Sequence, residues 1–296
     1  MPGGFTGVDI FFVISGFLIS SILIKEIDLN GRINFKEFYR RRIRRILPSF
    51  FLVASVSAIF AALFLLPEDL VNFAKSLRAG LTFTSNHYFA DKDDYFDPNS
   101  DEFPLLHTWS LSVEEQFYFI WPLLLLYLVK FRSNKKVSGI IFLIILASTS
   151  LGQMWTANHK DAQRAYFFLF SRFGELLIGC FMAYLIQKSK IKLKDKVYSI
   201  ASFLGMILML ASFYVINSKT PFPGFWSLLP CAGAALLIWS GYYHQGFVQK
   251  FLSQKPLVWI GLHSYALYLW HWPILAFYRY LWGKAQLNLW EGISIT

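Results

Sequence analysis

The sequence predicts an all-α fold, a polytopic bundle of transmembrane helices, and three observations carry that prediction. Of 296 residues, 55% are hydrophobic and only 16% are charged, a balance outside that of soluble domains. Apolar runs of bilayer-spanning length, about 17–25 residues, recur near 5–24, 48–66, 113–130, 137–153, 166–186, 197–216, 227–243 and 257–281, eight in all. Lys and Arg gather in short connections between those runs, as the positive-inside rule expects. Helices are the only spans that fit, because an open sheet leaves its backbone unsatisfied in lipid and the strict alternation of a barrel is absent.

Taken in order, the first run opens on Met1-Pro-Gly-Gly, which lacks the basic region of a cleavable signal, and Asp9 interrupts it. The connection 25–47 is basic (Lys25, Arg32, Lys36, Arg40, Arg41, Arg42, Arg44, Arg45), as are 130–136, 187–196 and 244–256, so these four are expected on the cytoplasmic side. The loop 67–112 then falls outside, in keeping with its acidic stretch DKDDYFDPNSDEF. Both of its ends must be external for the later loops to alternate, so residues 68–90 are expected to be re-entrant or interfacial, although Leu70 to Ala90 is apolar enough to pass for a ninth span. By the same alternation the first span begins outside at Met1 with no basic segment ahead of it, which predicts further chain upstream. The net charge of +10 resides in the basic connections, which points to membrane lipid headgroups and away from nucleic acid. Cys180 and Cys231 lie in apolar runs with no CxxC pair and no His at ligand spacing, so they are read as packing residues, with no zinc site and no disulfide framework.

Ionisable side chains inside apolar helices are functional-site hypotheses by default. Glu114 and Glu115 enter the third run in HTWSLSVEEQFYFIWP, residues 107–122. Neighbouring helix positions point about 100° apart, so the two acids serve different partners. Ser112 and Glu115 fit the Ser-x-x-Glu capping box, which gives Glu115 a structural explanation and leaves Glu114 as the candidate for proton handling. Arg172 and Glu175, three apart, can meet on one helix face, as a structural ion pair or as positioning groups. His271, between Trp270 and Trp272, suits either a helix-to-helix hydrogen bond or proton transfer. Tyr265, Tyr268 and Trp272 read as a packing stripe, Ser15-Gly16 as small-residue packing, and Asp9 as a helix cap or interhelix contact. His107 is expected to be a surface residue and His263 to be incidental. Arg42 and Arg45 share a helix face and could hold phosphate oxygens, but on the residues alone an anionic lipid surface explains them better.

Five segments in order, PGGFTGVDIFFVISGFLIS (2–20), FYRRRIRRILP (38–48), HTWSLSVEEQFYFIWP, SRFGELLIGC (171–180) and GLHSYALYLWHWPIL (261–275), resemble the acyltransferase-3 family of membrane acyltransferases. That family includes the O-acetyltransferases of bacterial O-antigen lipopolysaccharide and of peptidoglycan. The resemblance implies one membrane acyltransferase domain over 1–296 in the bacterial inner membrane. It also implies transfer of an acyl group, acetyl above all, from acyl-CoA as donor substrate to a hydroxyl of a cell-envelope glycan. Its RxxR pattern falls on Arg42 and Arg45, where it implies contact with the donor's phosphates, and its other motifs fall on Glu114, Arg172 and Glu175. Family members carry a helix with an essential His before the PGGF motif and a further span after the HWP motif, so the resemblance implies a helix missing at each end.

Acyl transfer needs a base or acyl carrier and charge stabilisation at the carbonyl oxygen. Glu114 is assigned the proton, with His271, Arg172 and Glu175 in support, and donor below and acceptor above the membrane. Two other classes compete. Buried acids, an Arg–Glu pair and a membrane His also suit a proton-coupled transporter or flippase, though no paired broken-helix repeat is visible, and an inactive fragment is the third.

Overall fold

A computed structural model of the chain describes residues 2–92, 95, 102–131, 133–158, 161–188 and 193–283. Most of the acidic stretch 91–103, Lys190 and Lys192 of the segment 187–196, and the end of the chain from 284 lie outside the described residues. The described elements are helical: α1 Gly7–Asn30, α2 Phe35–Phe64, α3 Pro67–Leu81, α4 Ser85–Ala90, α5 Thr108–Phe131, α6 Asn134–Ala157, α7 Ala162–Phe167, α8 Leu169–Lys188, α9 Asp195–Val215, α10 Leu228–Tyr243, α11 Phe247–Leu252 and α12 Lys255–Trp282.

Among the described residues six segments are long and apolar enough to cross a bilayer: Gly4–Asn30, Phe35–Phe64, Lys136–Ala157, Ala162–Lys188, Asp195–Val215 and Phe225–Tyr243. Eight were expected. The other two, α5 and α12, are 24 and 28 residues long, so length is not what separates them. α5 carries Glu114, Glu115 and Gln116, and α12 is rich in Trp, Tyr and His, which lowers its hydropathy. The run from Leu70 to Ala90 does not form a span. α3 has 15 residues, about 22 Å of helix against a hydrocarbon core of about 30 Å. It ends where Phe83 adopts φ +53, and Thr84 N–H bonds back to Ala79 O at 2.8 Å before α4 begins.

The chain divides into two compact units: Met1–Ile33 with Glu114–Val258, and Asn34–Val113 with Trp259–Thr296. α5 begins in the second and continues in the first.

In the first unit α1 packs along α8, α6 against α8, and α9 along α10. Two glycines set the α1–α8 approach. A Cβ at Gly16 would lie 1.9 Å from Leu176 O, and one at Gly179 would lie 1.9 Å from Val13 O, so only glycine lets these backbones touch. Cys180 and Cys231 are buried and unbridged, Cys231 packing with Ile10, Val13 and Ala234. α1 stops at Gly31, whose φ of +66 suits a left-handed cap and whose N–H bonds Ile27 O.

In the second unit α2 starts at the N-cap Asn34, whose side chain accepts from Glu37 N. It runs unbroken through the basic segment into the apolar run, with one rung of its ladder removed at Pro48. Ala61, Phe73, Leu105 and Phe277 form a core cluster. Tyr280 OH ties α12 to the start of α3, donating to Asp69 at 2.7 Å.

Candidate functional site

The chemistry-bearing side chains fall into two groups, one in each unit. In the first unit the glycine contact between α1 and α8 lets Asp9 reach Arg172. Arg172 Nη1 donates to Asp9 Oδ1 at 2.8 Å and to Glu175 Oε1 at 2.6 Å, while Nε donates to Tyr166 O at 3.0 Å. The guanidinium lies 4.9 Å from the Tyr166 ring and 5.1 Å from that of Phe222, both cation–π distances. All three ionisable groups are buried. The expected Arg172–Glu175 pair is therefore a triad, in which two carboxyl groups share one cation. Asp9 Oδ2 and Glu175 Oε2 have no hydrogen-bond partner among the described residues.

Also in this unit, Glu114 receives two hydroxyls on Oε1, from Ser15 of α1 and from Tyr118 one turn along α5. The Ser15 and Tyr118 hydroxyl oxygens also lie against each other, so two protons serve three close oxygen contacts. Gly16 does the packing expected of the Ser15-Gly16 pair, whereas Ser15 is a polar contact. Burial explains this, because a hydroxyl in an apolar bundle needs a partner. The capping box expected of Ser112 and Glu115 is not formed. α5 starts earlier, at Thr108, so Ser112 lies in its second turn, and its Oγ instead holds Ser85 Oγ at 2.6 Å and accepts from Ser85 N–H at 3.3 Å.

The second unit holds His271, Arg42 and Arg45, together with His107. His107 was expected at the surface but is only 3% exposed. It is enclosed by α12, with the Tyr268 and His271 ring centroids 5.5 and 5.9 Å from its own. Its backbone carbonyl accepts from Tyr268 OH at 2.8 Å and from Ser110 Oγ at 3.2 Å, and Ser110 Oγ lies 2.5 Å from Tyr268 OH. The backbone of Leu269 is a hydrogen-bonding neighbour of this imidazole and favours its protonated form. Burial first, and His271 second, push this imidazole well below the usual histidine range, so it is neutral.

His271 Nδ1 sits 2.5 Å from Tyr268 O. A carbonyl can only accept, so Nδ1 carries the proton and Nε2 the lone pair. The aromatic stripe also has polar work: Tyr265 OH donates to Ile46 O at 3.1 Å and Trp272 Nε1 to Phe103 O at 2.9 Å. Packing alone does not account for these residues, because a buried phenol or indole N–H seeks an acceptor. His263 is exposed and bonds its own helix at Trp259 O, 2.8 Å away.

Arg42 is half-buried and Arg45 exposed, three apart on α2. Two of the neighbouring arginines are tied down, since Arg40 lies 2.7 Å and Arg41 3.7 Å from Glu37.

Sequence reasoning missed the burial of His107 and the hydroxyl partners of Glu114. His107 opens the very motif that carries Glu114, and that was the available signal. Tyr118 lies four residues beyond Glu114, a helical neighbour, but Ser15 is 99 residues away and could not be read.

No solved structure matches this chain. The chain is 32% identical over 303 residues to the O-acetyltransferase OatA of Staphylococcus aureus (strain NCTC 8325 / PS 47), covering 99% of this chain and 49% of that protein. It is 32% identical over 302 residues to the peptidoglycan O-acetyltransferase OatA of Listeria monocytogenes, covering 98% of this chain and 48% of that protein. The chain thus spans about half the length of the curated relatives it matches. A family model described as an acyltransferase domain matches residues 2–296. With five motifs in order, a helical membrane architecture and a family match along nearly its whole length, the chain is a multi-pass cell-membrane protein that belongs to the acyltransferase-3 family.

Proposed function

We propose that this chain is a membrane O-acyltransferase that moves an acyl group, acetyl in the first instance, from acyl-CoA to a hydroxyl of a cell-envelope polysaccharide. Peptidoglycan is the acceptor to test first, because a relative is named for it. The structural observation that carries the reading is His271. Its Nδ1–H is spent on Tyr268 O, which leaves Nε2 as a base with a fixed tautomer.

In the reaction the acceptor oxygen adds to the thioester carbonyl carbon as its proton passes to His271 Nε2. The C–S bond then breaks, and the departing CoA sulfur takes that proton back. Arg42 and Arg45 hold the donor's phosphates through charge-assisted hydrogen bonds, which suits the spacing of the pair and the planar fork of arginine. Glu114 handles protons through the hydroxyls of Ser15 and Tyr118, which its Oε1 organises. Arg172 and Glu175 position α8 against α1 through Asp9.

The test is expression in cells whose wall lacks acetyl esters, followed by measurement of base-released acetate from purified wall glycan. Wild type is expected to restore the esters, and His271→Phe to abolish them at equal membrane abundance. Absence of esters with wild type, or movement of glycan across the membrane without esters, would overturn the reading; the second result would favour transport.

A further inference from the structure

The Asp9–Arg172–Glu175 triad does not balance in charge. One guanidinium faces two carboxyl groups, and all three are buried. With both acids ionised the triad keeps a net negative charge inside an apolar bundle, where an uncompensated charge is strongly disfavoured. Its titratable neighbours among the described residues are Tyr166, against the guanidinium, and Cys231, beside both acids. A phenol and a thiol are uncharged near neutral pH, so neither supplies the missing positive charge. The hydrogen bonding is short by one hydrogen in the same place. Both carboxyl groups accept from the same nitrogen, Arg172 Nη1, at 2.8 and 2.6 Å, which sets them side by side, and the two side chains are hydrogen-bonding neighbours of each other. Two ionised carboxylates have no hydrogen to share. Their outer oxygens, Asp9 Oδ2 and Glu175 Oε2, receive no hydrogen bond from any other described residue.

We propose that the triad binds one proton, held between Asp9 and Glu175 beside Arg172, which makes the site neutral. The proton supplies the hydrogen that the carboxyl pair lacks and removes the unbalanced charge together. Like charges this close do not both ionise, which is why paired carboxyls in one site share a proton. A divalent cation fits less well, since it takes six or more oxygens and the triad offers two orphaned carboxyl oxygens. The proton belongs to the pair and not to either residue. It therefore ties α1, which carries Asp9, to α8, which carries Glu175, along the contact that Gly16 and Gly179 keep tight. The inference holds whether or not the chain transfers acyl groups.

The experiment is infrared absorption of the whole chain in lipid vesicles near neutral pH, comparing wild type with Asp9→Asn and Glu175→Gln. A protonated carboxyl gives a C=O band of its own, apart from those of carboxylates. An amide brings its own N–H hydrogens, so in either variant it can bond the remaining carboxylate, which then balances Arg172 with no added proton. Wild type is expected to show the acid band, shifted in D2O, and each single variant to lose one acid band of equal area. Both singles are expected to unfold near the wild-type SDS concentration, while the double variant Asp9→Asn, Glu175→Gln strands the arginine and unfolds earlier. A band unchanged in both single variants belongs to another carboxyl and overturns the assignment. Loss in only one variant also overturns it, because the proton would then sit on a single residue. Early unfolding of both singles would mean that both negative charges are needed, and a wild type without the band would mean that no proton is held; either result overturns the proposal. In the last case, stabilisation by sodium but not by potassium at equal ionic strength would identify a metal ion in the proton's place.

Discussion

Replacing Arg172 by methionine tests the strongest structural claim in the first unit. From a fully buried position the arginine donates to Asp9, Glu175 and Tyr166 O. Methionine fills similar space but leaves two carboxyl groups facing each other with no cation. Removing one partner of a buried ion pair costs about 3–5 kcal/mol, most of it the penalty on the charge left behind. A folded domain has about 5–15 kcal/mol in total, so Arg172→Met is expected to lose about a fifth or more of its stability. The assay is unfolding of the detergent-solubilised protein in rising SDS, read by tryptophan fluorescence. The triple variant Asp9→Asn, Arg172→Met, Glu175→Gln removes the stranded charge and is expected to recover at least half of the loss. Unfolding of Arg172→Met at the wild-type SDS concentration would refute the argument, as would a triple variant less stable than the single.

Gly179→Ala drives a Cβ to 1.9 Å from Val13 O, so α1 and α8 must separate, at a cost of at least about 1–3 kcal/mol. Gly139→Ala, with nothing within 4 Å of the new Cβ, is expected to gain about 1 kcal/mol from helix propensity, and the same SDS titration reads both. Arg42→Ala with Arg45→Ala is expected to raise KM for acetyl-CoA about 10-fold or more with kcat nearly unchanged, since each charge-assisted hydrogen bond contributes about 1.5–3 kcal/mol; equal KM in steady-state kinetics would refute donor binding there. Stability should also depend on pH through His107. Its folded-state imidazole is pushed down by burial and by His271, so the unfolded chain takes the proton first. Stability is full above about pH 6.5 and falls below it, by up to about 1.4 kcal/mol per pH unit, until the folded imidazole titrates in turn. Unfolding curves from pH 7.5 to 5 should therefore flatten in His107→Leu relative to wild type.

The helical class and the Arg172–Glu175 pair were legible because they are local, whereas the absence of a ninth span over 70–90 followed from the alternation of the loops and ran against local hydropathy. Hydropathy over about 20 residues, or a spacing of three on a helix, contains the whole signal. What escaped depends on partners distant in sequence. Asp9 is 163 residues from Arg172, so a lone acid could be seen to need a partner without the partner being named. His107 follows a stretch of acidic loop and reads as exposed, yet residues of α12 more than 150 positions later enclose it. The capping box failed for a different reason: Ser-x-x-Glu occurs inside helices as well as at their starts, and α5 had already begun at Thr108.

The most direct test of the account is labelled transfer by the purified chain in lipid vesicles, with acetyl-CoA labelled in the acetyl group and wall glycan as acceptor. Wild type is predicted to place base-labile label on the glycan, and Glu114→Gln to place none while remaining folded, since its amide oxygen still accepts from Ser15 and Tyr118. Glycan left unlabelled by wild type, or labelled equally by Glu114→Gln, would contradict the account.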